Sequence, residues 1–291
     1  MPLARTGTLV TAAAAARRAV AAFNIITLEH AEAVIAGAEA AGSPVVLQIS
    51  ENAVKYRYGR VRPLARAAAE AAAEAGVPVA LHLDHVKSDQ LLRQAVDAGF
   101  SSVMYDAAHL PYAENLAATR SAAEWAHANG LWIEAELGEV GGKEGAPPLD
   151  AHAPGARTDP DEARAFVEGS GVDALAVAIG STHAMTDRTA ALDHGLLARL
   201  AGALDVPLVL HGSSGVPDGE LKAAVSGGIA KVNIGTALNL AMTSAIRDYL
   251  AANADAVDSR KYLSVGRRAM AETVTVLIGV LRDAGEPVPV A

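Results

Sequence analysis

Short runs rich in β-branched and aliphatic residues alternate with longer alanine-rich stretches along this chain, and that alternation limits the fold more than any other feature. The runs are Ala22-Phe23-Asn24-Ile25 and residues 44–50, 77–84, 102–106, 131–138, 174–180, 207–212 and 231–235. Between them lie segments long enough for crossover helices, at 30–41, 62–75, 88–98, 111–129, 160–168 and 219–226. Strand–helix alternation implies a parallel sheet with right-handed crossovers, and eight repeats predict a closed (β/α)8, or TIM, barrel. Glycines at 42, 76, 99 and 171 fall where helices are expected to stop before the next strand. An open doubly wound sheet reads with the same alternation, but no GxGxxG follows the first run. With 291 residues, one barrel domain over 1–291 is expected. The C-terminal stretches 238–250 and 262–284 are predicted as additional helices, packed outside the barrel or against another subunit. Two segments, 139–159 and 183–196, exceed ordinary βα loops and are expected at the catalytic face.

Composition narrows the function. The net charge of −9, with no Lys/Arg-rich run, argues against a nucleic-acid or membrane-surface partner. An anionic ligand must then be held by local groups. Cysteine is absent, which excludes disulfides, thiolate metal sites and a cysteine nucleophile. Neither a signal-peptide core nor ~18 uninterrupted apolar residues is present, so a cytoplasmic protein is expected.

The stretch Leu81-His82-Leu83-Asp84-His85 ends an apolar strand in titratable groups, which are costly to bury without partners. In barrels of this kind the chemistry sits at the C-terminal ends of the strands. Asp84 and His85 end the third run, Asp106 the fourth and His211 the seventh. Glu134 and Glu136 lie in the fifth run, His183 follows the sixth, and Asn233 lies in the eighth. Closure of the sheet makes these groups neighbours. Three histidines with an open position suit catalytic zinc, so His85, His183 and His211 are read as its ligands. His82 shares a face with Asp84 and is expected to be packed or to support the site. Asp106 and Glu136 fit three roles: orienting the histidines, binding metal themselves, or lining the interior as hydrogen-bonded polar groups. Histidines 30, 127, 152 and 194 read as ordinary core or surface residues.

The turns His211-Gly212-Ser213-Ser214-Gly215 and Asn233-Ile234-Gly235-Thr236 offer backbone N–H groups and hydroxyls after strands seven and eight. Phosphate commonly docks there in this fold. Gly180-Ser181 is a candidate third wall.

The segments LHLDH, SVMYDAAH, IEAELGEVGGKEG, LAVAIGSTHAM, LVLHGSSG and KVNIGT resemble the class II, metal-dependent fructose-1,6-bisphosphate aldolases, especially the branch with tagatose-bisphosphate aldolases. The likeness runs from about 23 to 270, nearly the whole chain. It implies that His85, His183 and His211 hold Zn²⁺, that Asp84 is the acid/base at the C4 hydroxyl, and that Glu144 handles the C3 proton. Asp106 and Glu136 match positions that bind a second or displaced metal in relatives. Gly212, Ser213, Ser214, Asn233, Ile234, Gly235 and Thr236 match the turns that bind the ketose phosphate end. The resemblance also implies a monovalent cation (Na⁺ or K⁺) near the phosphate and a homodimer or homotetramer. The substrate would be a phosphorylated ketose.

Departures from the pattern bear on the sugar and its phosphate. Ala184 stands where a phosphate-facing glycine usually follows the second histidine, Tyr105 replaces a small aliphatic residue, and Ala237 replaces an acid. Residues 146–157 lack a tyrosine often found before Thr158-Asp159-Pro160. Arg260 is a candidate for the distal phosphate. Among competing chemistries, a Schiff-base aldolase needs a lysine at the mouth, whereas Lys231 opens the eighth run at the opposite end. An amidohydrolase wants HxH on the first strand, where Phe23-Asn24-Ile25-Ile26 stands instead. A non-catalytic sugar-phosphate-binding partner subunit would have lost ligands or the acid, and all are present. Fructose, tagatose and a deoxygluconate-type phosphate remain alternative substrates.

Overall fold

The structure, a computed structural model, describes residues 3–138, 140–141 and 156–285. Eight parallel strands close into a barrel in sequence order. They are β1 (Val20–Asn24), β2 (Val45–Ser50), β3 (Val79–Val86), β4 (Ser102–Tyr105), β5 (Trp132–Leu137), β6 (Ala174–Val177), β7 (Leu208–Leu210) and β8 (Ile229–Ile234). Pairing of β1 with β8, Ala22 beside Asn233, completes the circle. Helices α1 (Thr6–Ala15), α2 (Leu28–Ala41), α3 (Glu51–Tyr56), α4 (Arg62–Ala73), α5 (Asp89–Leu92) and α6 (Ala95–Ala98) accompany the first half. The second half carries α7 (Tyr112–Ala128), α8 (Pro160–Ser170), α9 (His194–Ala203), α10 (Asp218–Ser226), α11 (Thr236–Ala252) and α12 (Ser259–Arg282).

The outer faces of the strands supply the main core. Phe23, Leu47, Leu81, Leu83, Val103, Ile133, Leu175, Leu210 and Val232 are buried against the helix ring. The inner faces are mixed. At the strand starts, Val20, Ala22, Val46, Ala80 and Ala230 pack with Val10 of α1 and Trp132. Helix α1 thus closes the floor, and a side chain at Gly7 would meet the Trp132 ring at 2.6 Å. Above this floor the interior turns polar.

Several sequence expectations are adjusted. Gly42, Gly99 and Gly171 take positive φ of 61°, 89° and 72° at helix ends, as expected. Gly76 has no left-handed φ; α4 stops at Ala73 with Glu74 as its cap, and the Gly76 N–H donates to Glu39 Oε1 at 2.7 Å. The third crossover is two single turns, α5 and α6, rather than one helix. Helix α9 shortens the segment read as a long loop. Its start is set by Asp193, which accepts from the Leu196 N–H at 2.7 Å, and Leu196, Leu197 and Leu200 are its buried face. Helix α12 packs along α2 outside the barrel, with Gly37 so close that a Cβ there would meet Val274 at 2.6 Å. Helix α11 packs on α12 and buries only Leu238.

Candidate active site

Strict alternation would send Asp84 and His85 to opposite faces of the sheet. The β3–β4 ladder prevents this. It pairs Leu83 with Val103 and then Val86 with Tyr105, so two residues on β3 oppose one on β4. This is a β-bulge, and within it His85 takes φ of 50°. Both polar side chains consequently serve the mouth. His211 follows β7, and Gly212 next to it has φ of 64°. A Cβ on Gly212 would lie 2.6 Å from the carbonyl carbon of Thr182, so the turn after His211 rests on the backbone leading into His183. The His183 N–H donates to the Gly141 carbonyl at 2.7 Å.

These turns bring the three predicted rings together. Ring centroids lie 5.0 Å apart for His85 and His183, 4.8 Å for His85 and His211, and 5.8 Å for His183 and His211. With Glu136 they form a group whose ligand atoms all lie within 4.8 Å of one another. Three imidazoles and one carboxylate at this spacing fit a borderline divalent cation such as zinc.

The surrounding carboxylates hold the rings. Asp106 Oδ2 is 2.9 Å from His85 Nδ1, and Glu136 Oε2 is 2.9 Å from His211 Nδ1. Glu134, given the smaller part from sequence, lies 2.8 Å from His211 Nε2 through Oε1. Burial disfavours the charged form of His211, but Glu134 and Glu136 outweigh it and raise its pKa to about 9. Burial likewise opposes ionised Glu134, yet Lys231 and His211 bring it down to about 2. The same competition acts on Asp84: burial pushes it up, but His85, His211, His82 and Lys231 hold it well below the usual carboxylate range. His82 is pushed down to about 3 by burial, with the Lys231 charge adding to the effect.

Asp84 has supports that the sequence reading missed. Asn24 Nδ2 donates to Asp84 Oδ2 at 3.1 Å, and Gln48 Nε2 donates to Asn24 Oδ1 at 3.1 Å. The available signal was a lone amide ending β1 and another within apolar β2. His82 is fully buried, with Nδ1 2.7 Å from Ser102 Oγ and Nε2 3.9 Å from Asp84 Oδ1, beyond hydrogen-bond reach, so it is packed beside the site. Lys231 is not at the mouth; it is fully buried against Glu134.

The two glycine-rich turns meet. Ser214 Oγ accepts from the Gly235 N–H at 3.3 Å and the Ala237 N–H at 3.1 Å, capping the start of α11. Ser213 is buried and its hydroxyl donates to the Leu210 carbonyl at 3.1 Å, while Asn233 is buried beside them at the end of β8. Arg260 stands apart from this cluster, with an 89% exposed side chain engaged by Asp258 at 2.7 Å. Glu144 and His152 lie outside the described residues. Histidines 30, 127 and 194 have ordinary partners: His30 with Thr27 and Asn239, His127 with Asp173, and His194 with Glu220. Tyr105, one of the departures, faces outward and donates to Asp89 at 3.0 Å; burial and that carboxylate push its hydroxyl up to about 12.

The family model described as fructose-bisphosphate aldolase class-II matches residues 4–286. The chain belongs to that family. It is 40% identical over 288 residues to the probable fructose-bisphosphate aldolase of Bacillus subtilis (strain 168), covering 98% of each protein. It is 40% identical over 270 residues to the fructose-bisphosphate aldolase of Geobacillus stearothermophilus, covering 92% of this chain and 91% of that one. Among solved structures, a putative fructose-1,6-biphosphate aldolase from Coccidioides immitis superposes with a TM-score of 0.85 at 31% identity, covering 97% of both chains. The YdjI aldolase of Escherichia coli K12 gives 0.80 at 32%, covering 96% of this chain and 97% of that one. This class II aldolase is therefore a carbon–carbon lyase built on a (β/α)8 barrel. Among its described residues no helix is long and apolar enough to cross a membrane.

Proposed function

We propose that this protein is a cytoplasmic, zinc-dependent aldolase that reversibly cleaves fructose 1,6-bisphosphate to dihydroxyacetone phosphate and glyceraldehyde 3-phosphate. One observation carries the reading: three imidazoles from separate strand ends and Glu136 converge on one point beside the buried carboxylate of Asp84. When bound there, the cation supplies positive charge next to the ketone oxygen, where negative charge gathers as the C3–C4 bond breaks. Asp84, kept ionised by its neighbours and oriented by Asn24, takes the proton of the C4 hydroxyl. Glu144 then returns a proton to C3 of the remaining enediolate. Condensation reverses these roles. Asp106 orients His85 through Nδ1.

Gly212, Ser213, Ser214 and the 233–236 turn are the donors for the ketose phosphate, with α11 beginning at Thr236. Arg260 would have to leave Asp258 to serve a distal phosphate. Helix α11, with one buried residue and Leu240 and Leu250 exposed, supports assembly into a homodimer or homotetramer.

Cleavage assays on fructose 1,6- and tagatose 1,6-bisphosphate, with chelation by EDTA and zinc restoration, test this reading. Turnover is expected on the fructose ester, lost with EDTA and regained with zinc. Full activity after exhaustive chelation would refute it. Faster turnover of the tagatose ester would correct the sugar and leave the chemistry standing. Light scattering is expected to show at least two chains per particle.

A further inference from the structure

Beneath the ring cluster lies an ion pair that the proposed reaction leaves idle. Lys231 and Glu134 are both wholly shielded from solvent, with Nζ 2.8 Å from Oε2. The second oxygen of that carboxylate meets His211 Nε2 at 2.8 Å. Nδ1, on the other side of the ring, meets Glu136 at 2.9 Å, and Glu136 rather than Glu134 belongs to the four-residue cluster. One edge of the imidazole is committed to the barrel interior and the other to the cluster.

The backbone is bent to achieve this. The β7–β8 ladder pairs Leu208 with Ile229 and then Val209 with Lys231, skipping Ala230. Ala230 joins the interior floor with Val20 and Val46, and the very next residue, Lys231, also reaches inward to Glu134. Such a bulge re-aims a side chain at the expense of regular pairing. Burying two charges costs several kcal/mol for each ion before their attraction offsets it, and an apolar pair of similar volume is often as stable. Stability alone does not account for the lysine.

We propose that Lys231 is a positioning residue: its ammonium fixes the Glu134 carboxylate so that Oε1 accepts from His211 Nε2–H, which sets the ring's tautomer and presents Nδ1 to the cation. This rests on the metal-binding reading of the cluster. Hydrogen-bond partners of metal-bound histidines typically change affinity 10–100-fold when removed.

The test measures zinc dissociation constants by chelator competition in the full-length protein, beside the thermal midpoint of the metal-free form. Lys231→Met and Glu134→Gln are each expected to weaken zinc about 10–100-fold. Val46→Ala, a floor cavity remote from His211, is expected to lower the thermal midpoint and leave zinc affinity unchanged. If Lys231→Met fails to fold, Glu134→Gln decides alone, because it keeps the volume of the carboxylate. Unchanged zinc affinity in folded Lys231→Met or Glu134→Gln overturns the proposal. His211→Asn separates the two ideas. Loss of zinc there, with the other variants unaffected, rejects only the positioning role, whereas zinc binding as in the parent rejects the metal-site reading itself.

Discussion

In the proposed reaction Asp84 carries the heaviest chemical demand, since there it acts ionised although it is about 1% exposed. Four neighbouring cationic or ionisable groups and the Asn24 amide make that possible. Asp84→Asn keeps the shape and the histidines, so bound zinc, read by elemental analysis, should match the parent. Turnover is expected to fall by about 10²–10⁴, the usual contribution of a positioned acid/base. Retention of parent-like kcat would remove the assignment. Ala184 poses a different question. It holds φ of 58°, a conformation that costs an L-residue about 1–2 kcal/mol and glycine almost nothing. The backbone therefore follows a glycine-like path although the side chain differs. Ala184→Gly should relieve that strain, partly offset by the flexibility glycine adds to the unfolded chain, for a net gain of up to about 1 kcal/mol. Urea unfolding measures it, and a clear loss of stability would show that the methyl group makes contacts worth more than the strain. The bulge explains why the end of the barrel that Asp84 and His85 occupy was legible while their exact placement was not. Pattern reading foresees that His85 belongs at the mouth, but a residue count along a strand cannot reveal that Asp84 and His85 share one position in the ladder.

At the scale of elements, the strands were legible because each pairs a short apolar run with a glycine or polar end, and all eight appear in place. Helix α9 was not, because its start lies in a segment whose polar and small residues resemble a loop. The contact of α11 with α2 was equally invisible. There His30 bridges Thr27 at 3.0 Å and Asn239 at 3.2 Å, joining elements far apart in sequence. Burial lowers the His30 pKa, with the Asn239 bond and Glu29 opposing. The folded state thus resists a proton that the unfolded chain accepts below about pH 6.5. The stability tied to this neutral ring is present above that pH and is lost as pH falls through the lowered folded value. His30→Gln removes the titration. Its stability difference from the parent, followed by urea midpoints, should be largest near pH 7.5 and narrow on acidification. A difference constant with pH would refute this account of the helix contact.

For the whole molecule, closure of the barrel assembles groups that are remote in sequence, and the arrangement at strand ends follows from that topology. What sequence alone could not supply is the interior beneath the mouth. Lys231 stands away from the mouth, as its place at the start of the eighth run implies, and its long side chain spans the interior distance to Glu134. The stopper formed by α1 under the strands has an operational consequence. A vessel open at only one end exchanges its contents in order, so on the proposed function a sugar phosphate lodged in the opening would block the exit route of an ion held behind it. Inactivation by a chelator should therefore slow as the ketose ester approaches saturation and regain its full rate once the ester is washed out. Stopped-flow traces of activity against time in EDTA would show this, and a rate indifferent to the ester would mean that the ion escapes by a second path.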